Sequence, residues 1–192
     1  PCPLLRSLTP DNLDDAYNLF TVVNSRGTKL SASDILRAQH LRAIKNDAKL
    51  REQCSRKWEA GVGVVQAPLN SFDEFLKYVM LAQVGYTSAR TKTLQEGFKF
   101  LVSQGKIEAG VQFFELVEDY VEQFEAVTNE KKLDLSGQDR CVFRNLFFLL
   151  SQTNQGMFLM PLLHFRRRFG DSHILPFLKR LDNLVSMMWL VG

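Results

Sequence analysis

Residues 106–127 read KIEAGVQFFELVEDYVEQFEAV, and this stretch decides the fold class. Its apolar residues recur at spacings of three and four, which places them on one stripe of a helix: Ile107, Val111, Phe114, Val117, Val121 and Phe124. The acidic residues fall on the other faces: Glu115, Glu118, Asp119 and Glu122. The pattern predicts an amphipathic helix over 106–127 with one side buried.

The same spacing recurs along most of the chain, and strict alternation over a strand length is rare. Helix starts are predicted at a Thr-Pro pair and at three capping boxes: Thr9–Pro10, Ser31/Asp34, Ser71/Glu74 and Thr93/Glu96. The helix that begins at Ser31 is expected to continue to about Trp58. Further helices are predicted at 142–150, 157–169 and 172–190. The sequence therefore predicts an all-α fold, an irregular multi-helix bundle of seven to eight helices.

Residues 61–70 contain two glycines and Pro68, and they predict a loop between two parts of the chain. On this interpretation residues 1–60 end one domain, 61–70 form a linker, and 71–192 form a helical bundle domain.

Composition excludes several classes of protein. With 45% hydrophobic and 23% charged residues, the chain is expected to form a compact globular core. Its net charge of +3 is too small to indicate nucleic-acid binding by the whole chain. The three cysteines, Cys2, Cys54 and Cys141, lack the spacing of a disulfide framework or a zinc site. A reducing cytoplasm is the expected location.

No membrane partner is expected, because no apolar run approaches the roughly 20 residues of a membrane span. The first residue is Pro1 rather than Met, which favours an excised fragment of a longer protein. Only three histidines are present, at 40, 164 and 173, and they are too far apart in sequence to indicate a catalytic or metal site.

Two groups of basic residues are candidates for contact with DNA phosphates. The first group recurs at three, four and seven, as on one face of the long helix expected after Ser31: Arg42, Lys45, Lys49 and Arg56. The second group is a run of three arginines: Arg166, Arg167 and Arg168. The alternative is that both groups are solvated helix faces.

Residues 20–41, FTVVNSRGTKLSASDILRAQHL, contain a second candidate site. A helix end, a glycine turn and a newly capped helix explain Gly27, Leu30, Ser31 and Asp34 without any function. An arginine beside a glycine turn and a helix N-terminus also suits a phosphate group. The candidate phosphate-binding residues are Asn24, Arg26, Gly27, Asp34 and Arg37.

The same segment resembles the pattern F-x-x-x-N-x-R-G-x-x-L-x-x-x-D-L-L-[RK] that closes the N-terminal domain of GmrSD-type restriction endonucleases. The matching positions are Phe20, Asn24, Arg26, Gly27, Leu30, Asp34, Leu36 and Arg37. The order of later features is similar too: Trp58, an FDEFL segment at 72–76, and an FLKRLD run at 177–182.

Membership of that family implies a ParB-like, nucleotide-dependent N-terminal domain with a D-G-Q-Q-R motif, joined to a C-terminal HNH-type nuclease domain. Together they would cut modified foreign DNA in bacterial phage defence, using a nucleoside triphosphate and a divalent metal. The 192 residues contain no D-G-Q-Q-R motif. Residues 173–176, HILP, resemble the H-I-x-P nuclease element, but the nearby metal ligands are missing, so a helix start capped by Ser172 is favoured.

The resemblance therefore implies a non-catalytic helical part of a nucleotide-dependent endonuclease. It would have no cofactor or metal site of its own, and its expected partners are the parent's other domains and DNA. An alternative is a helical protein–protein interaction scaffold that never contacts nucleic acid. A third interpretation, a helix-turn-helix reader using Arg37, His40 and Arg42, ranks last, because the 24–30 connection exceeds the usual 3–4-residue turn.

Overall fold

The computed structural model describes residues 30–69, 71–84, 93–153 and 158–191. Within these ranges the chain forms eight α-helices and no strand, which confirms the all-α prediction. The helices are α1 Ala32–Ala43, α2 Ala48–Leu69, α3 Phe72–Val84, α4 Leu94–Ser103, α5 Val111–Thr128, α6 Gly137–Thr153, α7 Leu159–Phe169 and α8 Ile174–Val191. A 3-10 turn, Glu130–Lys132, joins α5 to α6. The helix predicted from Thr9 lies outside the described residues.

Local capping starts several helices where the sequence predicts. Ser31 Oγ accepts from the Asp34 N–H at 3.1 Å while Asp34 Oδ2 accepts from the Ser31 N–H at 3.3 Å, and Thr93 and Glu96 form the same pair of bonds at α4. At α3, Ser71 Oγ accepts from the N–H of residue 74, but the Glu74 carboxylate accepts from the Tyr78 hydroxyl instead. The first two boxes are therefore confirmed, and only half of the third forms.

A break at residues 44–47 separates α1 from α2, so the prediction of one helix from Ser31 to Trp58 is wrong. Ile44 is extended and Asn46 has a φ of 58°, in the left-handed region that asparagine tolerates well. Asp47 Oδ1 then accepts from the Leu50 N–H at 2.8 Å, which starts α2. The Asn-Asp pair is a turn and cap signal, and it outweighs the helical spacing around it.

The loop predicted at 61–70 is also wrong, because α2 continues to Leu69. A Cβ atom on Gly61 would lie 3.1 Å from Val121 Cγ2, so this glycine lets α2 approach α5 closely. Val65, four residues later, is completely buried. Core residues on both sides of this segment, from Leu36 to Val185, belong to one hydrophobic cluster. The division into domains at 61–70 stays a prediction.

Helix α5 lies at the centre of the fold, packed chiefly against α2 and also against α7 and α3. It begins at Val111, five residues later than predicted, but its predicted stripe is largely buried. Aromatic rings fill the space around it, with Trp58 and Phe72 edge to face at 4.9 Å and Phe98 and Phe113 at 5.1 Å. Beside this body, α8 packs on α6 and α7.

Candidate functional site

Helix α1 carries two of the five residues of the predicted phosphate site, Asp34 and Arg37, and the N–H groups at its N-terminus already have acceptors. Asp73, on α3, accepts from the N–H groups of Ala32 and Ser33 at 3.1 and 3.0 Å. The next N–H, of Asp34, goes to Ser31. A carboxylate of the protein itself therefore occupies the place that an anion would take at this helix end, and phosphate binding by the whole segment stays a prediction. Asn24, Arg26 and Gly27 lie outside the described residues.

Arg37 joins α1 to α2 instead of pointing a free guanidinium at a ligand. Its Nη2 atom donates to Ser55 Oγ and to Glu59 Oε1, each at 2.5 Å. The Arg37 side chain is 27% exposed and that of Glu59 is 63% exposed, so the ion pair lies at the edge of the core. The predicted phosphate-binding role of Arg37 would require this pair to open.

The side chain of His40 is buried, so it is not available to contact DNA bases. Its ring stacks on Phe113 with the centroids 3.8 Å apart, and its Nδ1 accepts from the Gly110 N–H at 3.2 Å. Burial lowers the pKa of His40 to about 4. The helix-turn-helix interpretation is wrong, because His40 is in the core and Arg37 is in an ion pair.

The first basic group does not line one helix face. Arg42 is on α1, Lys45 lies in the break, and Lys49 and Arg56 are on α2. Arg56 Nη2 is 2.5 Å from Glu52 Oε1, an exposed pair within one helix. The single stripe predicted from spacing is therefore wrong, although all four side chains are exposed.

The three arginines on α7 have three different environments. The Arg166 Nε donates to Asp171 Oδ1 at 2.7 Å and its Nη1 donates to Gln123. Arg167 Nε donates to Asp119 Oδ2 at 2.5 Å. Arg168 is exposed, with its guanidinium 5.9 Å from the Phe169 ring. Arg166 thereby holds α7 to α5 and to the following turn, and DNA contact by the three arginines stays a prediction.

A polar chain runs from the core to the surface beside these arginines. The Gln83 amide nitrogen donates to the Tyr120 hydroxyl oxygen at 3.0 Å, and that oxygen is 2.9 Å from His164 Nδ1. The Arg167 guanidinium lies over the Tyr120 ring, 5.2 Å from its centroid. Tyr120 is only 1% exposed, and burial raises the pKa of its hydroxyl.

The polar contacts from Gln83 to His164 lead to an open pocket of about 380 Å³ between α5 and α7. The pocket is lined by Asp119, His164, Arg167 and Arg168. Burial lowers the pKa of His164, and the positive charges of Arg167 and Arg168 lower it further. The imidazole is therefore neutral at pH 7 in positively charged surroundings. The pocket suits an anion better than a cation.

A second surface feature is apolar. On α8, Leu184, Met187 and Met188 are 58, 63 and 74% exposed. Their spacing of three and four puts them on one face of the helix. On the neighbouring helix α6, Phe148 and Leu149 are 60 and 53% exposed. These five exposed apolar residues therefore lie on two neighbouring helices.

Among the described residues, the remaining histidine and cysteines are His173, Cys54 and Cys141. Within the described ranges, no group of three or more His, Cys, Asp or Glu residues could hold a metal ion. His173 is exposed just before α8, apart from His40 and His164. Burial raises the pKa of the Cys54 thiol, and Cys141 is exposed on α6. Among the helices that the structure describes, none has the length and apolar character needed to cross a membrane.

Sequence reasoning missed Asp73, Asp119, Tyr120 and His164. Asp73 stands at the start of a helix, where an acidic residue is usually explained by the helix's own dipole. Asp119 and Arg167 are 48 residues apart, so no local spacing relates them. The spacing of three and four residues from His164 to Arg167 and Arg168 was a local signal for the pocket.

Comparison with protein-family models, with curated proteins and with solved structures finds no match to this chain.

Proposed function

We propose that this chain is a non-catalytic helical module of a GmrSD-like bacterial DNA restriction and phage-defence protein. In the parent protein it positions the nucleotide-dependent domain and the nuclease domain relative to each other. The observation that supports this role best is the exposed apolar face of α8.

That face is unusual for a helix at a protein surface. Leu178 and Val185 bury one side of α8 in the core, while Leu184, Met187 and Met188 project from the other side. A helix that is apolar on both sides is normally covered on both sides. The uncovered side is therefore expected to pack against another domain of the parent.

The described part of the family motif has structural roles that fit such a module. Leu36 is 1% exposed, Asp34 caps α1, and Arg37 bridges to Glu59 on α2. These residues attach α1 to the body of the module. A motif that closes the preceding domain would thereby hold that domain against the bundle.

Contact with the DNA backbone is a second part of the proposal, supported by fewer residues than the sequence predicts. Lys45 and Lys49 are exposed near the break between α1 and α2, and Arg168 is exposed on α7. Phosphate contacts need only such charges. Because Arg166 is committed inside the fold, this contact is expected to be weak.

Hydrogen exchange in the full-length parent protein tests the packing role. Amide groups of 180–191 should exchange more slowly in the parent than in this chain alone, because the neighbouring domain covers α8. Leu184→Ser with Met187→Ser should remove that extra protection and reduce restriction of phage DNA. Phe169→Ser, an exposed aromatic on α7, is the matched control and should leave both unchanged. Equal exchange in parent and chain would contradict the packing role.

Duplex DNA binding by this chain distinguishes the proposal from the alternative of a protein–protein scaffold. Binding should weaken steeply as salt increases, and Arg42→Glu, Lys45→Glu and Lys49→Glu together should abolish it. The control changes three exposed lysines elsewhere, Lys77→Glu, Lys99→Glu and Lys131→Glu, and equalises the net charge. No binding at low salt would leave the scaffold role alone for this chain.

The family assignment has its own direct test. The full-length gene product should contain a D-G-Q-Q-R motif before these residues and an H-I-x-P nuclease motif after them. The absence of both motifs would contradict the assignment.

A further inference from the structure

We propose that the pocket between α5 and α7, lined by Asp119, His164, Arg167 and Arg168, binds a single phosphate group. This inference goes beyond the module role, because it assigns a ligand class and specific donors to a site that packing between domains does not require.

The polar chain beneath the pocket favours one position for the ring proton of His164. The Tyr120 oxygen already accepts from the Gln83 amide, which favours donation of its hydroxyl proton to His164 Nδ1, 2.9 Å away. With Nδ1 accepting, a neutral imidazole has its own proton on Nε2. His164 is then a hydrogen-bond donor, and its geometry is held from behind by a buried tyrosine.

The charges in the pocket are not equivalent. Asp119 accepts from Arg167 Nε on one oxygen and from the Gln123 amide at 3.1 Å on the other, so both of its oxygens are occupied by the protein. Asp119 thereby neutralises and orients Arg167. Arg168 has no carboxylate partner among the described residues, so its charge is available to an anion.

Phosphate binding should also change the protonation of His164. The charged and titratable groups around His164 are Asp119 and Tyr120 from α5 and Arg167 and Arg168 from its own helix. Burial and the two arginines favour the neutral ring. A bound phosphate would offset the arginine charges, so the pKa of His164 should rise when phosphate binds. Phosphate binding should correspondingly become tighter as the pH falls through the pKa of His164.

The test follows the imidazole resonances of this chain by NMR during titration with inorganic phosphate, with chloride holding the ionic strength constant. The chain has three histidines, so His40 and His173 serve as internal references. We expect the His164 resonances to move in a saturable way and the pKa of His164 to increase. Phosphate that shifts none of the three, or that shifts exposed His173 equally, would overturn the proposal.

Arg168→Gln is the decisive variant, because Arg168 is exposed and its loss should not disturb folding. Removing one charge-assisted hydrogen bond should weaken phosphate binding about tenfold. Arg144→Gln is the control, since it removes the same charge from an arginine on α6 that is 60% exposed. Equal phosphate affinity in Arg168→Gln and the unchanged chain would overturn the proposal.

Two further titrations identify the source of the phosphate. A nucleoside monophosphate presents a terminal phosphate, whereas a short duplex DNA presents backbone diesters. If both the monophosphate and the duplex shift the His164 resonances, the pocket binds terminal phosphates and also the DNA backbone. If only the monophosphate shifts them, the pocket binds a terminal phosphate. The second result would support the pocket while contradicting its use in DNA contact, and failure of the pocket would leave the packing of α8 unaffected.

Discussion

The Gly110 N–H, at the start of α5, donates to Nδ1 of His40 on α1 over a distance of 3.2 Å. Only an unprotonated imidazole nitrogen can accept, so the bond exists only while His40 is neutral. The same ring stacks on Phe113, which is completely buried. This hydrogen bond between α1 and the start of α5 therefore requires an uncharged histidine.

Stability should fall as the solution becomes mildly acidic. The pKa of His40 is about 4 in the folded chain and 6.5 as its ordinary value. The unfolded state then binds more protons between these values, so the free energy of unfolding decreases as the pH falls from 6.5 to 4, by about 3 kcal/mol. Urea unfolding at a series of pH values, followed by the fluorescence of buried Trp58, measures this decrease.

His40→Asn separates this histidine from the carboxylates that also titrate in acid. Asparagine keeps an acceptor near the Gly110 N–H but does not titrate, so the difference in stability between the two proteins should shrink from pH 7 to pH 4. His173→Asn, at an exposed position, should show the same pH dependence as the unchanged chain. A difference that stays constant with pH would show that His40 is not the titrating group.

Gly97→Ala should destabilise the fold by about 1–3 kcal/mol. A Cβ atom at Gly97 would overlap Met80 Sδ and lie 2.7 Å from its Cγ, and Met80 is only 1% exposed. Thermal unfolding measures the loss. In a Met80→Ala background the same glycine substitution should cost less, because the overlapping atoms are gone.

Gly63 provides the matched control for that substitution. It lies on the exposed side of α2, and a Cβ there would meet nothing within 4 Å. Gly63→Ala should therefore stabilise the chain by about 0.5–1 kcal/mol, through helix propensity alone. Destabilisation by both alanines would mean that steric overlap with Met80 is not the cause.

Asp73→Ala should lower the free energy of unfolding by about 1–2 kcal/mol, because two N–H groups at the start of α1 lose their acceptor. Asp73→Asn keeps one acceptor oxygen and should lose less. Asp134→Ala removes an exposed carboxylate and serves as the control. Hydrogen exchange should increase at Ala32 and Ser33 in the alanine variant, and unchanged exchange there would argue against a capping role.

Arg37→Gln should reduce stability by under about 1 kcal/mol, since its ion-pair partner Glu59 is largely exposed. Glu59→Gln should have a similar small effect, measured by urea unfolding. A loss of several kcal/mol from Arg37→Gln alone would show that the hydrogen bond to Ser55 matters more than the ion pair.

Local interactions were predictable from the sequence, and interactions between distant residues were not. The Ser31/Asp34 and Thr93/Glu96 caps each join residues three apart, so their spacing is visible in one dimension. The stripe of α5 was visible for the same reason. The turn at Asn46–Asp47 was also local, but the helical spacing around it concealed the break.

Gly61 illustrates why the other predictions failed. A glycine in a loop and a glycine at a helix contact have the same sequence signal, and only the position of Val121 distinguishes them. Arg166 and Arg167 likewise appear in the sequence as a basic cluster. In the fold, Arg166 donates to Gln123 and Arg167 donates to Asp119. The burial of His40 depends on Phe113, 73 residues away, in the same manner.

The unbroken course of α2 has a practical consequence for dividing this protein. Its 22 residues span about 33 Å, so 61–69 behave as part of a rod and not as a tether. A cut between residues 61 and 65 would leave Trp58 and Val65 on opposite pieces of one split helix, although both belong to the same hydrophobic core. Neither piece would bury its half of that core, and fragments meant for expression should begin before α1.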